Sequence, residues 1–212
     1  MQVPAANVEE LLIGAMERLV AAGQSFTSVS VEELAREAGI ARSTFYLHFR
    51  DKGELVQGLM QRVMTEVLDA MGVWLSQPQL ASRADLRVAI SGVVHAYQKH
   101  RAVMLAAVET AAYDPAVASI FYDKMNHMAQ LTRLAVEGVA RGKGATAPLP
   151  EVSDILVWAH ERCCHQLLGN KKPEQVERII DALVHVSWHA LYAPDALGAA
   201  PASPVKAKRT KK

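Results

Sequence analysis

The 212 residues include only two cysteines, Cys163 and Cys164, and these are adjacent. Neighbouring side chains on a helix point about 100° apart, a poor start for a mutual disulfide, so a reducing, cytoplasmic compartment fits best. No apolar run approaches the roughly 18 residues of a membrane span, and MQVPAANVEE lacks the basic start and apolar core of a secretory signal. No membrane partner is expected. Net charge is scarce too. The formal value is +1, and five Lys or Arg of the closing PASPVKAKRTKK offset a remainder of −4. The first 56 residues hold eight acids against five bases. Bulk electrostatics therefore gives no hint of nucleic acid, and any such contact must come from local placement. Strand-type alternation is nowhere sustained, and there is no internal repeat.

What is present is apolar residues at helical spacing, half of the composition, with Pro and Gly at the joints. A sizeable core can be buried, and the fold class is all-α. Nine helices are expected. The first, about 6 to 22, carries the stripe Val8, Leu11, Leu12, Ala15, Leu19 and Val20 and stops at Gly23. SVEE at Ser30 reads as a capping box, with Glu33 reaching back, for a helix ending at Gly39. The turn Gly39-Ile40-Ala41 leads into ARSTFYLHF. Two short helices joined so tightly, with glycine at the turn, form a helix-turn-helix signature. Asp51 caps a long helix running to Trp74, and five more follow at about 83–99, 101–113, 115–141, 150–168 and 173–192. The tail from Pro194, rich in Ala, Pro and Lys, is expected to be disordered.

Projection of residues 42–49 at 100° per residue puts Phe45 and Phe49 on one side, as a buried stripe. Ser43, Thr44 and Leu47 point the opposite way, flanked by Arg42 and Tyr46 and by His48. Hydroxyls and the phenol can donate to phosphate, Arg42 can span O6 and N7 of guanine, and Leu47 can meet a thymine methyl. Taken singly, each residue is more often structural. Together with the glycine turn and the cap they point to DNA.

VSVEELAREAGIARSTFYLHFRDKGEL resembles, over 27 residues in register, the DNA-binding segment of the TetR family of bacterial one-component regulators. The resemblance implies base-edge contacts for Arg42, Ser43, Tyr46 and Leu47. It implies phosphate contacts for Thr44, His48, Lys52 and Ser30. Many members carry an Arg-rich arm before the first helix, and this chain begins without one, which weakens the expectation of minor-groove contacts. It further implies residues 1–50 as the DNA-binding domain, 51–193 as an effector-binding and dimerisation domain, and 194–212 as a basic tail. The expected partners are a double-stranded DNA operator, a small apolar effector and a second copy of the chain. No enzyme activity and no cofactor are expected.

In the second half, Tyr97, Met104, Tyr113, Phe121, Tyr122, Met125, Met128 and Trp158 are large or pliable side chains suited to an apolar effector, though the same residues would line any helical core. VWAHERCCHQLL and LVHVSWHALY are similar to two helices of the ethionamide-resistance branch of the family, in which a polar anchor for the ligand stands where His160 is here. Family layout also implies pairing of the last two helices in a dimer, for which Val176, Ile179, Ile180, Leu183, Val184 and Leu191 are the candidates. The competing reading is a metal-sensing site. His160 with Cys164 and His185 with His189, each at i,i+4, would enclose an ion if they faced one another. A zincin-type hydrolase is unconvincing, because His160 and His165 are five apart and cannot share one metal as HExxH requires.

Overall fold

The computed structural model describes residues 5–77, 82–143 and 147–192. The basic tail lies outside them. The described residues form nine helices and no strand: α1 (Ala5–Ala21), α2 (Val31–Glu37), α3 (Arg42–His48), α4 (Lys52–Ser76), α5 (Arg83–Lys99), α6 (Arg101–Ala111), α7 (Pro115–Lys143), α8 (Pro150–Leu167) and α9 (Pro173–Tyr192). No single helix among them is long and apolar enough to cross a membrane.

Local chemistry sets the boundaries. Ser30 Oγ accepts from the Glu33 amide at 3.1 Å, the forward half of the expected capping box. The reciprocal box occurs instead at Ser82, where Asp85 also bonds back to the Ser82 amide. Gly39 adopts φ +70°, and beyond it the Ile40 amide donates to the Ala35 carbonyl while the Gly39 amide donates to Arg36. That pattern closes α2 with a left-handed residue that only glycine adopts without penalty. Asp51 Oδ1 accepts from the Glu54 amide at 2.8 Å and starts α4.

On α1 the inward stripe is Val8, Leu12, Ala15, Met16 and Leu19. Leu11, expected in that stripe, is exposed. The helix needs only one narrow face against its neighbours, and Met16 completes it. α1 packs on α2 and α6, and α2 on α3, while α4 is the hub that packs against α5, α6 and α7. A Cβ on Gly92 would stand 2.6 Å from that of Ala70, so glycine permits the close approach of α5 to α4. α9 lies along α5, and α8 bridges α7 and α9.

One apolar core runs from Val8 to Leu191 without a break at residue 50. The three N-terminal helices are also tied to the remainder by polar links. Arg62 of α4 pairs with Glu9 and Glu10 of α1, and Ser25 Oγ donates to Glu109 of α6 at 2.7 Å. The long helix is not continuous. Gly72, at φ 41° and ψ −122°, breaks α4 before Trp74.

Candidate functional site

Phe45 is fully buried and Phe49 nearly so, and their rings meet with centroids 5.5 Å apart. They fix α3 on the core by the side the projection assigns to it. Arg42, Ser43, Tyr46 and Leu47 are exposed as a result, and Thr44 and His48 lie at the margin. Leu47 is 68% exposed. The Arg42 guanidinium sits 5.5 Å from the Tyr46 ring centroid, so the aromatic face orients the cation on the outer surface.

Lys52 is placed differently from the expectation of a phosphate contact. Its ammonium donates to the carbonyls of Phe26 at 2.8 Å, Thr27 at 3.2 Å and Val29, and it stands 4.9 Å from the Phe26 ring centroid. Burial holds it below the usual lysine range, opposed by the charge of Glu109. The loop between α1 and α2 has carbonyls without helical partners, and Lys52 satisfies them. In this position it ties the α1–α2 loop to the start of α4. Ser30, used as the α2 cap, remains exposed.

Between α4, α5, α6, α7, α8 and α9 lies a cavity with about 970 Å³ of space not filled by atoms, including the part open to solvent. Tyr97, Met104, Met125, Met128 and His160 line it as expected. Tyr113, Phe121, Tyr122 and Trp158 do not. Tyr113 and Tyr122 are largely exposed, and Tyr122 joins the buried Phe121 and the half-buried Trp158 in an aromatic cluster between α7 and α8 that does not reach the cavity. On α7 the inward face continues through Met125, Met128 and Thr132, at i, i+3 and i+7, and Tyr122 is turned away from it. Sequence reasoning missed the α4 wall of Val63, Met64, Val67, Met71 and Trp74. It also missed Leu86 and Ile90 of α5. Helical periodicity marks these as inward-facing, but it cannot separate core from cavity lining.

His160 Nε2 shares a 2.9 Å hydrogen bond with Ser187 Oγ of α9, and desolvation pushes the imidazole down to about 4. It is neutral at pH 7. The Tyr97 hydroxyl is 3.1 Å from His165 Nδ1. Burial raises Tyr97 above the usual phenol range, and it pushes the Cys164 thiol up to about 12.

The stripe Val176, Ile180, Leu183, Val184 and Leu191 is buried within the protomer, with Ile179 partly so, and Leu183 and Leu191 line the cavity. These residues serve the protomer's own core and are not a free dimer surface, because an amphipathic helix spends its strongest apolar face there first. The outward faces of α8 and α9 instead present Ile155, Ala159, Ala182 and Val186.

The metal-sensing alternative loses its geometry. His160 and Cys164 face the cavity, whereas His185 and His189 are exposed on the opposite side of α9, with ring centroids 4.5 Å apart. No group of three or more metal-ligating residues assembles among the described residues.

A short helix presenting exposed hydroxyl, guanidinium and phenol groups, carried by a hub helix that walls an apolar cavity, defines a helix-turn-helix transcriptional regulator. Residues 18–59 match the model of the bacterial regulatory proteins of the tetR family, and residues 86–193 match that of the EthR C-terminal domain. The chain is 27% identical over 194 residues to the HTH-type transcriptional regulator EthR of Mycobacterium tuberculosis, covering 89% of each. It is 24% identical to EthR of Mycolicibacterium smegmatis, over 93% of this chain and 92% of that one. A TetR-like regulator from a Rhodococcus species shares the fold with a TM-score of 0.68 at 22% identity, covering 89% of this chain and 98% of that chain. The fatty acid degradation regulator FadR of Bacillus halodurans does so with 0.69 at 12% identity, covering 87% and 96%. The chain belongs to the TetR family and carries a C-terminal domain of the EthR type. It is a DNA-binding transcriptional regulator, not an enzyme. Regulators of this kind bind DNA operators and typically act as dimers with small-molecule effectors.

Proposed function

We propose that this regulator is a homodimeric cytoplasmic repressor, released from a near-palindromic operator when a small, largely apolar effector fills the cavity. The observation that carries the reading is the course of α4. It begins at Lys52, four residues after the end of α3, and its Val63, Met64, Val67 and Met71 then form one wall of the cavity. An occupant that displaces this wall displaces the root of the DNA-reading helix. A ligand with higher affinity for the displaced conformer lowers DNA affinity by the difference between the two states.

Arg42, Ser43, Tyr46 and Leu47 are the groups proposed to read base edges, with Thr44, His48 and Ser30 towards phosphate. Two copies of α3 would enter successive major grooves about 34 Å apart. The dimer proposed here uses the outward faces of α8 and α9 around Ile155 and Val186. Residues 1–50 and 51–193 are the corresponding functional divisions.

The test is fluorescence anisotropy on DNA fragments flanking the gene, with a scrambled control and rising salt. Wild type is expected to prefer one palindromic site at moderate salt, and Tyr46→Ala to lose that preference while remaining dimeric by size-exclusion chromatography. Equal, salt-sensitive binding to all fragments would sink the operator reading.

A further inference from the structure

The cavity's polar groups are mostly paired with protein. His160 bonds to Ser187, Tyr97 to His165, and the Trp74 indole to Tyr192. Among the charged groups of the lining Glu161 stands apart. It lines the cavity from α8, its side chain is only 5% exposed, and its Oε1 is buried with no hydrogen-bond partner among the described residues. The adjacent Arg162 reaches no closer than 4.0 Å, and only to Oε2, from a side chain that is 57% exposed. A buried acceptor of this kind costs free energy unless something donates to it. The Tyr97 hydroxyl and the Cys164 thiol feel the Glu161 charge, but the hydroxyl is engaged with His165 and neither group hydrogen-bonds to Oε1.

We infer that Glu161 is a recognition site for the effector's polar end, and that the effector is a lipophilic amine whose ammonium donates to Oε1 while its hydrocarbon part fills the methionine-rich remainder of the cavity. The inference rests on the cavity being the effector site. An ammonium supplies the missing hydrogen bond at Oε1 together with a countercharge inside the cavity, where Arg162 at 4.0 Å offers one only from the solvent side. A carboxylate ligand would place like charges together. A neutral alcohol would satisfy the acceptor and leave the charge. Burial raises the Glu161 carboxyl above the usual range, against the Arg162 charge that lowers it, so the site is a poor resting place for an isolated anion.

The experiment is isothermal titration calorimetry of the full chain with three probes of equal chain length, n-octylamine, 1-octanol and octanoate, repeated with Glu161→Gln. Octylamine is expected to bind wild type about tenfold or more tighter than octanol, with octanoate weakest. Glu161→Gln should bring amine and alcohol to within about twofold to threefold of each other. Octanol binding as well as octylamine, or octanoate binding tightest, overturns the amine assignment while leaving the cavity as the effector site. Preference for the amine that persists in Glu161→Gln overturns the role of Glu161. Failure of all three probes to bind overturns the inference together with the effector reading. The wild-type series decides the ligand chemistry even if the variant fails to fold.

Discussion

The indole Nε1 of Trp74 donates a 2.8 Å hydrogen bond to the phenolic oxygen of Tyr192. The bond joins the end of α4, beyond its break at Gly72, to the last turn of α9. The Tyr192 ring also stacks on Trp188, with centroids 4.6 Å apart. The α4 and α9 walls of the cavity are thereby tied together at one corner. Tyr192→Phe keeps the stacking and leaves the indole without its acceptor, which costs about 1–2 kcal/mol. Urea denaturation should report that loss with an unchanged m-value.

Lys52 separates two readings of one residue. A lysine acting on phosphate lowers the salt slope of DNA binding by about one when removed. A lysine satisfying three carbonyls lowers stability instead, and hydrogen bonds to charged groups contribute about 1.5–3 kcal/mol each at most. Lys52→Ala is expected to lower the urea midpoint and leave the salt slope of operator binding as in wild type.

His160 makes stability acid-sensitive. Its folded-state value of about 4 lies below the ordinary 6.5, so between these pH values the unfolded chain binds a proton that the native chain does not. Stability is therefore fully present above pH 6.5 and is lost as pH falls to about 4, by about 3 kcal/mol as a ceiling. His160→Gln retains a partner for Ser187 and removes the titration. The gap between wild type and variant in denaturant titrations at pH 7 and 4.5 should shrink or reverse at the lower pH; a constant gap would refute the desolvated imidazole.

The dimer face is tested on its exposed residues, not on the buried stripe of α9. Ile155 and Val186 are 65% and 55% exposed in the protomer. Paired substitution to arginine should yield a folded monomer by sedimentation, with operator affinity reduced about a hundredfold or more as the two half-sites are no longer read together. A dimer that survives would move the interface elsewhere.

The residues proposed to read DNA were legible because their evidence is local. Phe45 and Phe49 recur at i,i+4, Gly39 demands a left-handed turn, and a two-turn helix has only one other face to show. The cavity was half legible. Methionines and Tyr97 at helical spacing mark inward-facing positions, but whether an inward position meets a neighbour or a void depends on distances between helices far apart in sequence. Tyr113 and Tyr122 suit an apolar effector by residue type alone, and both are exposed.

By itself, then, the sequence determined the helical class, the helix boundaries to within a turn or so, and the presentation of Arg42, Ser43, Tyr46 and Leu47, because capping, turn chemistry and 3.6-residue periodicity act over a few residues. Only the tertiary structure decided that Lys52 faces carbonyls, that Leu183 and Leu191 face the protomer's cavity, that the two histidine pairs diverge, and that Glu161 is buried without a donor. Each of these depends on which face of a neighbouring helix is brought against it, and periodicity within one helix carries no record of that.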